Sequence, residues 1–314
     1  MAGRSFMQTD PQFLGVLCAI LSTMFGLAYL LMADAPPPML AVNFGSLAIG
    51  LVLIFIGRRL YELLSERTAC SMIDGAMLAA AMVLLATSLF GEAAEGASRW
   101  FAVGGLFVQP SLIVLPVMVI GFMRRRNRTT MSAMLVAALA MALQPDRAMA
   151  AALFAGLAVQ AFLYRDRVIV VPAAVAFAAL VVTLLRADSL PAVPYVDRIY
   201  YTAFEIGLSA GIAVVVGTVL LLVPFLAVLR HKPKDRNVGL IFAVVWFVMI
   251  LMAMVGNYPT PVVGYSGAAV LGYVLSLLAL PTYAIAARHN ADEKPIDMND
   301  PTNDDGLRRV LLPG

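Results

Sequence analysis

Ten apolar stretches separated by short polar joints dominate the chain, and they leave it one kind of environment to fold in. They fall at about 13–33, 39–57, 70–90, 107–123, 130–144, 148–163, 168–186, 199–229, 238–256 and 267–287, the fifth and sixth being the shortest. A helix needs about 20 mostly apolar residues to cross a bilayer. In hydrocarbon every backbone N–H and C=O must be satisfied within the protein, so runs of this length read as helices. Composition agrees: 61% of residues are hydrophobic and 13% charged, with a mean hydropathy of +0.88, against about 45–50% apolar and about 25% charged in soluble domains. The expected fold class is all-α, a polytopic integral membrane helical bundle of about ten transmembrane helices.

Charge orients it. With both termini cytoplasmic and every run crossing, all but four of the 22 Lys and Arg residues lie on the cytoplasmic side, as the positive-inside rule demands. The exceptions are Arg99, Arg147, Arg186 and Arg198. The net charge of +3 belongs to cytoplasmic loops beside anionic membrane lipid and gives no sign of a nucleic-acid partner. Cys18 and Cys70 sit in or beside apolar runs near opposite faces, which argues against a disulfide and against a metal motif. The first run ends in a signal-peptide-like "MADA", but it exceeds the usual h-region of about 7–15 residues and is read as a helix.

Residues 1–290 read as one transmembrane domain and 291–314 as a polar, disordered cytoplasmic tail. The pairs Gln109-Pro110 and Gln144-Pro145 recur 35 residues apart at the outer face. Each proline breaks a backbone ladder there, which suits a cavity. The last outer segment, "GNYPTPVVGYSG", is followed by Ala268, Gly272 and Ser276 at four-residue intervals, a small-residue stripe that lets helices approach closely.

The polar side chains expected on the outer face are Glu92, Glu95, Arg99, Gln109, Ser111, Gln144, Asp146, Arg147, Asp188, Asp197, Arg198, Glu205 and Asn257. Arg99 with Trp100 also fits an interfacial anchor, and the Asp-Arg pairs 146–147 and 197–198 also fit neutralised turns. Glu205 lies eight residues past Asp197 within an apolar run, about 12 Å deeper if the helix is continuous. His231 and His289 fall on the cytoplasmic side, so proton transfer on the outer face falls to carboxylates. These residues alone are compatible with a transporter or an enzyme.

The order of the outer segments carries a resemblance. "GASRWFAVGGLFVQPS" resembles the "GA.RWI.LG...QPSE" signature of the SEDS family of bacterial shape, division and sporulation proteins (FtsW, RodA, SpoVE). "LQPDRAMAA" is similar to the family's "QPDLGTA", and "PYVDRIYYTAFEIGLSAG" to "HTDFIFAVLAEELGFIG", which places Asp197, Glu205 and Gly211 in register. "TPVVGYSGAAVL" is similar to "LPFISYGGSSLL", aligning Pro261, Tyr265 and Gly267.

The resemblance implies a peptidoglycan glycosyltransferase of the bacterial inner membrane. It would polymerise undecaprenyl-linked lipid II beside a class B penicillin-binding protein, with no cofactor and with a divalent cation left open. It makes Asp197 the catalytic acidic residue and Arg99, Gln109, Ser111, Asp146, Arg147, Arg198, Glu205 and Tyr265 candidates for substrate binding. Departures accompany it: Leu112 and Leu115 stand where the family has Glu and Lys, Arg147-Ala148-Met149 replaces Leu-Gly-Thr, Tyr195-Val196 replaces His-Thr, and the outer loop before Asp197 is reduced to "ADSLPAVPYV". Two further readings follow: a non-catalytic homologue that binds and regulates the penicillin-binding protein, and a flippase or transporter.

Overall fold

In the computed structural model, the helices between Pro11 and Leu185 begin where side chains or prolines can satisfy or spare the first backbone N–H groups. The structure describes residues 10–94, 97–186, 190–229 and 231–282; Glu95, Asp188, His289 and the tail at 291–314 lie outside them. Asp10 accepts from the N–H of Gln12 and Phe13 to open α1 (Pro11–Met32), and Ser65 opens α3 (Glu66–Phe90). A reciprocal capping box between Asn127 and Thr130 opens α5 (Arg128–Leu143). Asp146 and Asp166 cap α6 (Arg147–Tyr164) and α7 (Arg167–Leu185). Prolines in the first turn, where an N–H is orphaned in any case, start α2 (Pro37–Leu63) and α4 (Pro110–Arg124).

Beyond α7 come α8 (Ile199–Ile206), α9 (Leu208–Leu220), α10 (Val223–Val228), α11 (Pro233–Val255) and α12 (Gly267–Ser276). Among the described residues seven helical segments are long and apolar enough to cross a membrane, with Leu208–Val228 taken as one, and α4, α5 and Gly267–Ala279 are shorter apolar helices. The protein is therefore a helical, multi-pass membrane protein, with helices at all ten apolar runs.

Two expectations change. The eighth run, 199–229, is not one helix: the chain turns at Gly207, and α8 folds back on α9 with the Phe204 ring lying where a Cβ on Gly211 would be. Glu205, at the end of α8, is exposed rather than carried deeper by a continuous helix. The fourth run begins at 110, not 107, because the residues before it form a β-ribbon. In that ribbon β1 (Glu92–Ala94), β2 (Ala97–Val103) and β3 (Leu106–Val108) pair antiparallel in sequence order. Gly104 and Gly105, at φ 58° and 81°, make the two-residue turn that requires positive φ at both positions.

The core gathers around Trp246, Tyr273, Phe242 and Phe122, all fully buried. Trp246 meets Tyr273 edge-on at 5.0 Å and donates to Ser276 Oγ at 3.2 Å. The Tyr273 hydroxyl donates to the Leu221 carbonyl, freed where α9 gives way to α10. α12 lies against α2 and α4, α1 against α9, and α6 between α7 and α11. At the opposite end from Asp197, Arg125 forks onto Asp74 at 2.9 and 2.6 Å and ties α4 to α3. Cys18 and Cys70 are both free.

The small-residue stripe has a specific cause. Pro116 inside α4 has no N–H for the Leu112 carbonyl four residues earlier, and that carbonyl faces Gly272 of α12, where an added Cβ would lie 2.0 Å from its oxygen. Gly272→Ala is expected to lower stability by about 1–3 kcal/mol through overpacking, while Gly121→Ala, with nothing within 4 Å of the new Cβ, is expected to leave it level or raise it. Thermal unfolding of both variants in detergent micelles checks this.

Candidate functional site

Asp197 ends the loop at 190–198 that joins α7 to α8, and two strained segments hold it there. Tyr195 and Arg198 take positive φ, 65° and 58°, a conformation rare outside glycine. Across from them Val262, also at φ 65°, is the middle of a three-residue turn closed by the Val263 N–H on the Pro261 carbonyl at 2.7 Å. Such residues cost on the order of 1–3 kcal/mol each and persist only when their surroundings over-determine them.

The surroundings do so here. The Tyr265 N–H donates to the Tyr195 carbonyl at 2.7 Å, the Thr260 N–H to the Val196 carbonyl at 2.9 Å, and Asp197 and Pro259 form an antiparallel bridge. Asn43, fully buried in α2, pins the far side: its Nδ2 donates to the Gly264 carbonyl at 2.8 Å and its Oδ1 accepts from the Ser266 N–H at 3.2 Å.

Asp197 is 8% exposed. Its Oδ2 accepts from the Val193 N–H at 2.8 Å. Burial raises its pKa above the ordinary carboxylate value; the Val193 N–H and the positive charge of Arg99 oppose the rise and are outweighed. Beside it opens a cavity of about 480 Å³, lined also by Arg198, Glu205, Tyr195, Tyr29 and Thr202. It therefore pairs a poorly solvated carboxyl with one basic and one further acidic side chain.

The other predicted residues form a second, buried cluster. Gln109 donates to Ser111 Oγ at 3.0 Å and to Asp146 Oδ2 at 2.8 Å, while Asp146 Oδ1 accepts from the Met149 N–H at 3.1 Å as the cap of α6. Arg99, on β2 and 4% exposed, donates to the Gln144 and Pro145 carbonyls at 3.4 and 2.5 Å, just past the end of α5. It acts on Asp197 through its charge rather than from the cavity wall.

Arg147 is turned toward the end of α7, donating to the Thr183 and Arg186 carbonyls. Tyr265 joins the site through its backbone. Of the four outer arginines, Arg198 alone lines the cavity, with its guanidinium 6.0 Å from the Tyr201 ring centre. Leu112 and Leu115 are buried in the core. Asn43, Tyr29 and Thr202 were not among the expected site residues. Asn43 had one available signal, a lone amide within the second apolar run. Among the described residues no three His, Cys, Asp or Glu side chains converge as a metal site.

Fold and site define a class: polytopic helical membrane proteins with a buried aspartate in a loop at one end of the bundle. Solved structures add particular likenesses, each across 84% of this chain with a TM-score of 0.56. The rod shape determining protein RodA of Thermus thermophilus matches at 19% identity over 93% of its length, and an aspartate-to-alanine variant of it at 18% over 94%. A chain from a structure of a peptidoglycan synthase complex, described as coordinating polymerization and crosslinking, matches at 20% over 96%. The fold is RodA-like. No protein-family model and no curated protein matches the chain.

Asn43→Leu is expected to leave the Gly264 carbonyl and the Ser266 N–H unpaired, at about 1–3 kcal/mol for each buried group. Thermal unfolding in micelles reads the loss, and protease cleavage within 256–266 is expected to appear in the variant before the helices unfold.

Proposed function

We propose that the chain is a divergent, shortened SEDS-type protein of the bacterial inner membrane and a peptidoglycan glycosyltransferase acting on undecaprenyl-linked lipid II. The observation that carries this reading is the buried Asp197 carboxyl beside a cavity in a RodA-like fold. Asp197 is the general base. It takes the proton from the acceptor sugar hydroxyl as that oxygen bonds to the donor's anomeric carbon, and the bond from that carbon to the diphosphate oxygen breaks. Polyprenyl diphosphate leaves with the bonding electrons.

Burial makes the carboxylate more basic, which suits the task provided the group remains ionised at working pH. The developing diphosphate charge needs a cation; Arg198 is the candidate at the cavity wall, with Glu205 on the substrate's polar groups. Gln109, Ser111, Asp146 and Arg147 act through the helix ends they hold, and Tyr265 through the turn beneath Tyr195. A class B penicillin-binding protein is the proposed partner. Nothing in this scheme requires a divalent cation, and addition of one tests that point.

One observation favours a second reading, a non-catalytic homologue that binds the same partner: Arg99 and Asp146 are not at the cavity wall, and leucines fill two positions that are charged in the family. The two are separated by incubating purified protein with lipid II, alone and with the partner transpeptidase. Glycan polymer is expected, falling about 10²–10⁴-fold in Asp197→Asn, the usual worth of a general base. No polymer in either condition, together with an Asp197→Ala variant that still supports growth, would establish the regulatory role instead.

A further inference from the structure

The β-ribbon between α3 and α4 carries an exposed carboxylate at the level of the helix ends and is apolar at its β2–β3 turn. β1 and β2 meet in register at Glu92 and Trp100, β2 and β3 at Phe101 and Val108. Residues 99–101 lie level with the ends of three helices. The Trp100 carbonyl is packed on Gly91 just past α3, Arg99 grips the carbonyls past α5, and Pro110 opens α4 two residues after Val108. From that level β2 runs on for three residues, about 10 Å at the strand rise, to the Gly104-Gly105 turn. That turn lies on the opposite side from the β1–β2 end.

Glu92, opposite Trp100 at the level of the helix ends, is exposed. The β2–β3 end carries no polar side chain: from Trp100 to Met123 the sequence holds no charged residue, and Val103 and Phe107 are 60% and 71% exposed, with Leu106 beside them. At the foot of the ribbon Leu89 and Phe90 are also exposed, continuing the lipid-facing side of a membrane-spanning helix.

We propose that the β2–β3 tip is a lipid-interface anchor. Val103, Leu106 and Phe107 sit at the headgroup–acyl boundary of the leaflet on the Asp197 side, while Glu92, level with the helix ends, stands in water. A ribbon that is charged at the level of the helix ends and apolar about 10 Å away at its turn matches the polarity step of a membrane surface. Backbone groups freed at a two-residue turn are tolerated at that depth, where water still reaches, though not in the hydrocarbon centre. The occupant is the bilayer because β2 lies against α3, a helix long and apolar enough to cross a membrane whose exposed Leu89 and Phe90 face lipid. Arg99, midway along the ribbon, joins this anchor to the α5 end and through its charge to Asp197.

The test uses the full chain in proteoliposomes. Trp100→Phe removes the nearer of the two native tryptophans and leaves the fully buried Trp246 as a constant signal. Into this background Phe107→Trp and Glu92→Trp are introduced separately. Iodide is present on both sides of the membrane, or brominated phospholipid replaces the ordinary lipid. The Phe107→Trp protein is expected to show blue-shifted emission, to lose most of the added signal to brominated lipid and to resist iodide, and the Glu92→Trp protein to behave in the reverse way. Iodide quenching at position 107 would overturn the proposal. So would resistance to both quenchers, which would mean that protein, not lipid, covers the tip.

Discussion

A helix that ends within a membrane protein leaves its last carbonyls without partners, and at the Asp197 end of this bundle side chains must supply the donors. Arginines meet much of that need. Arg99 serves the carbonyls past α5, Arg147 those at the end of α7, and Arg186 reaches the Leu143 carbonyl. A guanidinium at a helix C-terminus also meets the negative end of the helix dipole. The charge-orientation rule disfavours arginine on an outer face, and the geometry gives the reason three are found there: they complete helices. Arg198, the fourth, is left to the cavity.

This arrangement ties helix capping to the chemistry of the site. Arg99 closes the α5 end, fixes the height of the β-ribbon and lowers the proton affinity of Asp197, all from one position. The loop that carries Asp197 has little regular structure of its own and is held in shape by the turn at 256–266, which Asn43 of α2 holds in turn. Three residues at positive φ lie in these two segments. Their strain is the cost of presenting a buried carboxyl at the edge of a cavity.

Much of the helical plan was legible in the sequence, because hydrophobic runs of about 20 residues have few alternatives in a bilayer. Gly272 was legible as a close-approach position, since the small-residue stripe encodes it locally. The break at Gly207 was hidden because both sides of it are apolar, and only the packing of Phe204 on Gly211 distinguishes a fold-back from a continuous helix. The ribbon was missed although Gly104-Gly105 between apolar flanks is a hairpin signal; its last strand merged with the run that follows. At the site, Asp197, Arg198 and Glu205 meet at the cavity; the sequence assigned all three to the outer face, but Glu205 reaches the cavity because α8 folds back, not from about 12 Å deeper on a continuous helix. Arg99 and Arg147 hold backbone carbonyls, which carry no sequence signal, and this role emerged only from the fold.

The central claim is that Asp197 is a buried carboxyl whose ionisation is set by desolvation and opposed by Arg99. Following the carboxyl stretch of isotope-labelled Asp197 by difference infrared spectroscopy across a pH titration tests it directly, in the wild type and in Arg99→Gln. Burial raises the folded pKa, so the wild-type group should hold its proton to a higher pH than an exposed aspartate. Removing the positive charge that opposes burial should push the transition higher still. A wild-type transition at or below the ordinary aspartate value, or one that Arg99→Gln leaves in place, would contradict the account.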